Sequence, residues 1–491
     1  MTPEIVPTPK SRRWVRVLIA FVVAFDVTAF FQWADGSFQS EFGGHPDEGT
    51  HYLTGLRVRD AAAHAWDGTH SGKVRHSVNA LRRTPAFDLA LGGWMFAFGT
   101  SRIAVLLFMT ALAGATITLI YCTVRHDFGD WAAVVASLLW LCAPAVRESY
   151  ETILPEQFSA FLLTGAVLLW ARLMDEGNRL RIAAGKRIGT VAMLGSGCAL
   201  VFALAVTLKF LPGDPRTATP FLKECGCVLG IAAAAFALTG IVIRPRSIVR
   251  MDTTWVAMVA LVAGVLVARW LRADVPDVRV LIVATPALAM LSTRGAVSLA
   301  GIIGSQTAIA FELSRRKTLW LLLLFLLALP QDLLHPWQKD WRGFGPAALT
   351  LIGESRAPAG VLVVSDPRGE SMFASEIAMR DRAQQITVER GSETLTDPAG
   401  TAARGRPLER FLEDEQLFAY LTSGHIRYVV LDSAVPQDVH AGYHDQVRRI
   451  LEDNVRSFWP IYDNPIIRDG EPMGHPLRIF RVMQSEGAQL Q

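Results

Sequence analysis

Long apolar runs dominate the first two thirds of the chain and stop near residue 334. Each run is close to the length that a helix needs to cross the hydrocarbon core of a bilayer. The pattern predicts about nine spanning helices, at residues 14–34, 102–123, 131–146, 157–174, 189–210, 225–243, 254–271, 279–295 and 318–334. The fold class predicted from this pattern is a polytopic α-helical membrane protein.

Beyond Trp341 the pattern changes to short apolar runs separated by amphipathic segments. Strands are predicted at 361–365, 426–431 and 477–482, and helices at 406–424 and 440–454. This part lacks a glycine-rich phosphate loop and a nucleophile elbow, so we assign no chemistry to it. The predicted domains are a transmembrane domain over 1–340, whose first external loop is 35–101, and a soluble α/β domain over 341–491.

The basic residues indicate how the chain is oriented. Basic residues precede the first apolar run, and other basic clusters lie at 172–187, 244–250 and 315–317. The positive-inside tendency places all of them in the cytoplasm. With nine spans, the N-terminus is then cytoplasmic and the C-terminal domain is periplasmic or extracellular.

Two segments do not fit the count of nine. Residues 86–98 are apolar but short and include Asp88, so a helix that lies in the membrane interface is predicted there. Residues 296–311 are open to two readings, because they could form a tenth span that would move the C-terminal domain to the cytoplasm.

Composition excludes several classes of protein. Of the 491 residues, 51% are hydrophobic and 19% are charged, which is too apolar for an ordinary soluble protein. The net charge of +3 gives no argument for nucleic acid as a partner. The five cysteines lie in or beside apolar runs, so the sequence contains no readable disulfide framework.

Polar chemistry is concentrated just after the first span, in residues 42–51. Asp47 and Glu48 follow Pro46, and a proline suits the entry to a helix. Asp47 is therefore either the cap of a helix or, with Glu48, a general base or metal ligand at the mouth of a membrane cavity. His51 is a further candidate for the same site.

Other ionisable residues close to apolar runs are also candidates, and each has an alternative role in structure or in lipid contact. Glu156 follows Pro155 and either complements a helix dipole or belongs to the site. Lys209 either reaches lipid head groups or meets a lipid phosphate. Arg279 suits a phosphate or pairs with a nearby aspartate. Arg82 and Arg83 of the first loop either contact head groups or hold an anionic substrate.

A zinc site is not predicted. The zincin pattern of histidine, glutamate and a second histidine fails, since Asp47 and not a histidine precedes Glu48. A divalent cation such as Mg²⁺ or Mn²⁺, held by Asp47 or Glu48, is compatible with the pair but not required by it.

The order of these motifs resembles the GT-C superfamily of integral-membrane glycosyltransferases, in particular the bacterial aminoarabinose-transferase-like and protein O-mannosyltransferase-like group. The resemblance rests on the acidic pair at 47–48, Thr84 to Phe87, Phe98 to Arg102, 124–129, 155–156, 207–209, and Arg279 with Pro286. A proline pair that is usual in relatives is here only Thr84-Pro85-Ala86-Phe87.

The resemblance implies transfer of a sugar, with inversion, from a polyprenyl-phosphate donor to a cell-envelope glycolipid, polysaccharide or protein. The reaction would take place at the outer face of the cytoplasmic (inner) membrane. Asp47 then resembles the catalytic carboxylate beside Glu48, while Lys209 and Arg279 resemble contacts to the lipid phosphate. The alternatives are a non-enzymatic transporter or flippase for a lipid-linked sugar, and an envelope assembly protein.

Overall fold

The computed structural model describes residues 10–66, 85–183, 237, 253–271, 278–305, 339–355, 358–381, 384–397, 408–437, 439–468 and 470–483. These residues form two compact units. The helical unit contains 10–34, 85–87 and the described residues of 106–305. The loop–sheet unit contains 35–66, 88–105 and the described residues from 339 onward. The sheet domain therefore shares its unit with most of the first loop.

The described residues of the helical unit form helices joined by short turns. Its helices are α1 Lys10–Ala34, α5 Asp130–Leu141, α6 Pro144–Glu151, α7 Pro155–Ala183, α8 Thr253–Leu271 and α9 Thr285–Ser305. Two further helices belong to it in part: α3 Pro85–Phe98 with its first turn, and α4 Arg102–Phe128 with all residues after its first turn. A 3₁₀ helix, Val278–Ala284, leads into α9. The loop–sheet unit contributes α2 Glu48–Trp66 from the first loop.

Four helices of the described residues are long and apolar enough to span a membrane, and they are Trp14–Ala34, Arg102–Phe128, Pro155–Met174 and Leu281–Leu299. Each overlaps a predicted span. The span predicted at 131–146 is instead a bent pair, because α5 and α6 meet at 68°. Pro144 opens α6, and a proline cannot donate the hydrogen bond that would continue α5.

The remaining predicted spans have mixed outcomes. The one at 254–271 is helix α8, Thr253–Leu271. Residues 296–305 continue α9 and form no separate helix, while 306–311 lie outside the described residues. The spans at 189–210, 225–243 and 318–334 also lie outside them, apart from the single residue 237.

Buried polar side chains join the helices of the helical unit. Gln32 of α1 donates from Nε2 to the Tyr150 carbonyl of α6 at 2.6 Å, and its Oε1 accepts from Thr110 Oγ1 of α4 at 2.7 Å. Trp140 Nε1 donates to Thr285 Oγ1 at 2.9 Å, which links α5 to α9. Such bonds fix neighbours in a region where apolar contact alone gives little preference for one arrangement.

The loop–sheet unit is built on a five-stranded sheet of order β2-β1-β5-β7-β6. Its strands are β1 Ala359–Val364, β2 Ile386–Arg390, β5 Ile426–Asp432, β6 Phe458–Arg468 and β7 Glu471–Val482, with a small separate pair of β3 Thr396–Asp397 and β4 Leu408–Glu409. Strands β2, β1 and β5 are parallel, and β7 runs antiparallel to both β5 and β6. The predicted C-terminal sheet domain is present.

Helices cover both faces of this sheet. They are α10 Phe344–Glu354, α11 Pro367–Arg380, α12 Gly391–Thr394, α13 Asp414–Leu421 and α14 Gly442–Asp453. Val361 and Val363 of β1 pack with α10 and α11, while Leu362 and Val364 pack with α13 and α14. Alternation along a strand sends neighbouring side chains to opposite faces. Because both faces of the sheet are covered, the side chains of β1 from Val361 to Val364 are all apolar.

Glycines of the first loop allow it to pack closely within this unit. A Cβ at Gly49, in the first turn of α2, would lie 2.6 Å from Ser371 Oγ of α11. A Cβ at Gly92 of α3 would lie 2.5 Å from Val58 of α2. Both positions therefore require glycine, and the start of α2 is held directly against α11.

Candidate active site

A tight turn over residues 44–48 presents Asp47. The Gly44 amide donates to Glu48 Oε2 at 3.1 Å, and the Glu48 amide donates to the His45 carbonyl at 3.1 Å. The Asp47 amide donates to His45 Nδ1, also at 3.1 Å. The turn is thus closed by the side chain of Glu48, and Asp47 stands at its tip with 46% of its side chain exposed.

Asp47 also marks the start of a helix, as the sequence predicted. Helix α2 begins at Glu48, and the Asp47 carbonyl accepts from the His51 amide at 2.9 Å. A residue in this position has a fixed backbone, so its carboxylate is presented from a defined point. The geometry is compatible with a cap and with a reactive group.

Glu48 has a very different environment from its neighbour. Its Oε1 accepts from Lys339 Nζ at 2.5 Å, and both side chains are fully buried. The pair joins residues that are far apart in the sequence. Lys339 was not recognised as a site residue from the sequence, because nothing local marks a lysine just before Trp341 as buried.

His51 forms a second buried pair one turn further along α2. Its Nδ1 lies 2.8 Å from Asp88 Oδ1 of α3, and both residues are buried. The carboxylate fixes the orientation of the imidazole ring. Asp88 was noticed in the sequence only as a charge that argued against a spanning helix.

A further network of acids and arginines was missed at the sequence level. Glu41 accepts hydrogen bonds from the amides of Gly343, Phe344 and Gly345, at 3.1, 3.0 and 2.7 Å. Burial raises the pKa of Glu41, against the opposing effect of these amides. Since the amides belong to the first turn of α10, Glu41 caps that helix from the first loop.

Glu376 of α11 is the other acid of this network. It is buried, and it pairs with Arg102 at the start of α4 and with Arg380 one turn along α11. Arg102 belongs to a motif that carried the resemblance, but its partner lies 274 residues away. No spacing rule could have found that partner.

The other predicted site residues are in the helical unit or outside the described residues. Glu156 is half-buried in the first turn of α7, as predicted. The backbone of Arg279 lies in the 3₁₀ helix Val278–Ala284, and its side chain is not among those described. Arg82, Arg83 and Lys209 lie outside the described residues.

The helical unit contains an ion pair that the sequence analysis passed over. Arg147 Nε lies 3.4 Å from Glu151 Oε1 across one turn of α6, and Glu151 is fully buried. The Arg147 guanidinium also lies over the ring of Phe31, 5.5 Å from its centroid. The spacing of four residues was a usable signal, and a buried carboxylate beside an apolar bundle is a functional candidate.

Acids also cluster at the carboxyl edge of the sheet. Asp432 ends β5 and accepts from Ser365 Oγ at 2.6 Å, and it pairs with Arg468. Arg468 Nη2 donates to Asp366 Oδ1 at 3.1 Å. Burial raises the pKa of Asp432. The two acids share one nitrogen of Arg468, while its Nε and Nη1 are buried without a hydrogen-bond partner among the described residues.

The fit of a divalent cation can be judged at the acidic pair. Glu48 already binds an ammonium group and an amide, so a cation there would have to displace Lys339. Asp47 is the better exposed acid of the two. Within the described ranges, no group of three or more histidine, cysteine, aspartate or glutamate residues is arranged to hold a metal ion.

Comparison with known proteins bears on residues 82–243, about a third of the chain. This segment matches the family described as dolichyl-phosphate-mannose-protein mannosyltransferase. The match confirms the resemblance to the GT-C superfamily. No curated protein gives a significant match to the chain.

The GT-C match implies a membrane glycosyltransferase that uses a lipid-linked sugar. Together with the apolar helices, it indicates a multi-pass membrane protein. The matched segment contains Arg82, Arg83, Glu156 and Lys209, and it begins after Asp47 and Glu48. The acidic pair therefore depends on its own geometry for its assignment.

Proposed function

We propose that this protein transfers a sugar, with inversion, from a polyprenyl-phosphate donor to a glycolipid, polysaccharide or protein of the cell envelope. The observation that carries the assignment of the site is the turn at 44–48, which exposes Asp47 while it buries Glu48. A carboxylate held at a fixed, accessible point is what a general base needs.

The proposed reaction is a single displacement. Asp47 takes the proton from an acceptor hydroxyl, whose oxygen forms a bond to the anomeric carbon of the sugar. The bond from that carbon to the phosphate oxygen breaks, and the lipid phosphate leaves with the electron pair. Attack on the face opposite the leaving group inverts the anomeric centre.

Cations would stabilise the leaving phosphate as its charge develops. Lys209 and Arg279 are assigned this role on the resemblance, and Arg82, Arg83, Glu156 and His51 are further candidates for the active site. An arginine presents a planar fork that suits phosphate oxygens, and a lysine presents a point charge. No step of the proposed reaction requires a divalent cation.

The site is assigned to the outer face of the inner membrane. The first loop and the sheet domain belong to one compact unit, which supports assigning both to the same side of a membrane. If that side is the periplasm or cell exterior, the basic clusters fall in the cytoplasm, as the positive-inside tendency requires. The N-terminus is then cytoplasmic.

Purified protein, labelled polyprenyl-phosphate mannose and a membrane fraction as acceptor would test the proposal. Mannose is the sugar in the name of the matched family. We expect Asp47→Asn to lower transfer by about 10²-fold to 10⁴-fold, the range for loss of a general base. The matched control is Asp60→Asn, which removes an acid of the same helix that pairs with the adjacent Arg59.

Full transfer by Asp47→Asn would show that this carboxylate is not the base. Movement of the labelled lipid across the membrane without transfer would favour the flippase. Loss of function on deletion of 345–491, with Asp47→Asn and Glu48→Gln both fully active, would favour the assembly protein.

A further inference from the structure

A single lysine ties together the segment that carries the proposed base. The Lys339 amide donates to the Asp35 carbonyl at 3.0 Å, just after the end of α1. A Cβ at Gly36 would lie 3.2 Å from the Lys339 carbonyl, so the two backbones are in close contact. Lys339 is thereby held at the beginning of the first loop.

The other end of Lys339 reaches the turn at 44–48. Its ammonium group lies 2.5 Å from Glu48 Oε1, and the other oxygen of that carboxylate accepts from the Gly44 amide. One carboxylate therefore closes the turn and receives the lysine. Asp47 lies between the two residues, Gly44 and Glu48, that this carboxylate connects.

Burial keeps the ion pair between Lys339 and Glu48 in one geometry. Lys339 and Glu48 are both fully buried, so water cannot replace either partner. Removing one member of such a pair leaves an uncompensated charge in a place of low polarity, whereas removing both leaves none. The turn is expected to shift in the first case and to be largely retained in the second.

We propose that Lys339 is a positioning residue that fixes the Asp47 carboxylate for catalysis through its ion pair with Glu48. The inference rests on the proposed function. It assigns Glu48 the role of a support for Asp47 in place of a second catalytic acid. It also makes the residue that introduces the sheet domain a part of the active-site machinery.

The test compares Lys339→Met, Glu48→Gln, the double variant and Lys339→Arg in the transfer assay above. Displacement of a catalytic group by about 1 Å can cost on the order of 10²-fold in rate. We therefore expect Lys339→Met to lower kcat by about tenfold to 10²-fold, with KM for the mannose donor nearly unchanged. The double variant should recover part of this loss, and Lys339→Arg should retain more activity than Lys339→Met.

A second readout does not depend on activity. Hydrogen exchange of a peptide covering residues 44–48 should be faster in Lys339→Met than in the unmodified protein, because the Gly44 bond is loosened. Arg342→Met is the matched control, since that side chain is half exposed and pairs with Asp340. It should change neither exchange in the turn nor kcat.

The outcomes separate this inference from the proposed function. If kcat per folded molecule and exchange at 44–48 in Lys339→Met both equal those of the unmodified protein, Lys339 does not position Asp47, even though Asp47→Asn is inactive. If Asp47→Asn is fully active, the assignment of Asp47 as the base is wrong, and the inference about Lys339 fails with it. A lower yield of folded Lys339→Met with normal kcat would show a purely structural pair and overturn the inference.

Discussion

Two groups of acids in the loop–sheet unit are built on opposite principles. At the carboxyl edge of the sheet, Asp366 and Asp432 are both buried and share Arg468. In the turn at 44–48, one acid is buried and paired while its neighbour is left accessible. At the sheet edge both acids are buried against an arginine, whereas in the turn Glu48 holds the backbone and the Asp47 carboxylate stays accessible.

The largest loss of stability that would test this contrast is expected for a substitution at the sheet edge. Asp432→Ala leaves Arg468 with one carboxylate partner fewer in a buried site, which should cost about 3 to 5 kcal/mol of stability. The apparent Tm of the full chain in detergent should fall accordingly. Sugar transfer per folded molecule should not change.

Adding Arg468→Met to Asp432→Ala should restore part of the lost stability, because the uncompensated charge is removed. A normal apparent Tm for Asp432→Ala would contradict a structural role. Reduced kcat in the remaining folded protein would show that the sheet edge also takes part in the reaction, and the contrast with the turn would break.

A smaller effect is expected where the first loop caps α10. Glu41→Gln removes one acceptor oxygen from a site that serves three amides. A buried amide left without its partner costs about 1 to 3 kcal/mol. We expect a lower apparent Tm and faster hydrogen exchange at residues 343–345.

The control for Glu41→Gln is Glu354→Gln, at the other end of the same helix. Glu354 pairs with Arg481 at the surface, where an ion pair contributes about 1 kcal/mol or less. Equal changes in Tm for the two variants would show that Glu41 is no more important than a surface acid.

A pH-dependent effect is expected for a third kind of acid, Glu370 on α11. Burial raises its pKa to about 8, although the amide and hydroxyl of Ser392 both donate to it. Between about pH 5 and about pH 8, Glu370 therefore keeps its proton in the folded state, whereas in the unfolded state, with a pKa near 4.5, it has released that proton. The contribution of Glu370 to stability should therefore decline as pH rises from about 5 to about 8.

Glu370→Gln should flatten this decline in apparent Tm, because an amide does not titrate. The other raised pKa values, those of Glu41 and Asp432, remain in the variant and serve as the internal comparison. An unchanged slope in the variant would mean that Glu370 is ionised in the fold.

Much of the fold could be read from the sequence. Four of the predicted spans coincide with apolar helices, and the strands at 361–365, 426–431 and 477–482 overlap β1, β5 and β7. Strand β2 and helix α11 were missed, since neither has a strong apolar period. The bend between α5 and α6 was also missed, although Pro144 marks it.

The candidate site was predictable only in part. Asp47, Glu48 and His51 were found because they follow a span and share a short polar stretch. Their partners, Lys339 and Asp88, were not found as partners, because each lies on a different element and is close only after folding. Ion pairs between distant segments leave no periodic signal in a sequence.

The sequence by itself determined that the protein has apolar helices, a C-terminal sheet domain and an acidic pair after its first span. These features depend on local composition and periodicity, which each segment carries alone. Only the tertiary structure decided that Glu48 is buried against Lys339 while Asp47 stays accessible. Two adjacent carboxylates have the same intrinsic chemistry, and the surroundings that distinguish them are formed by residues almost 300 positions away.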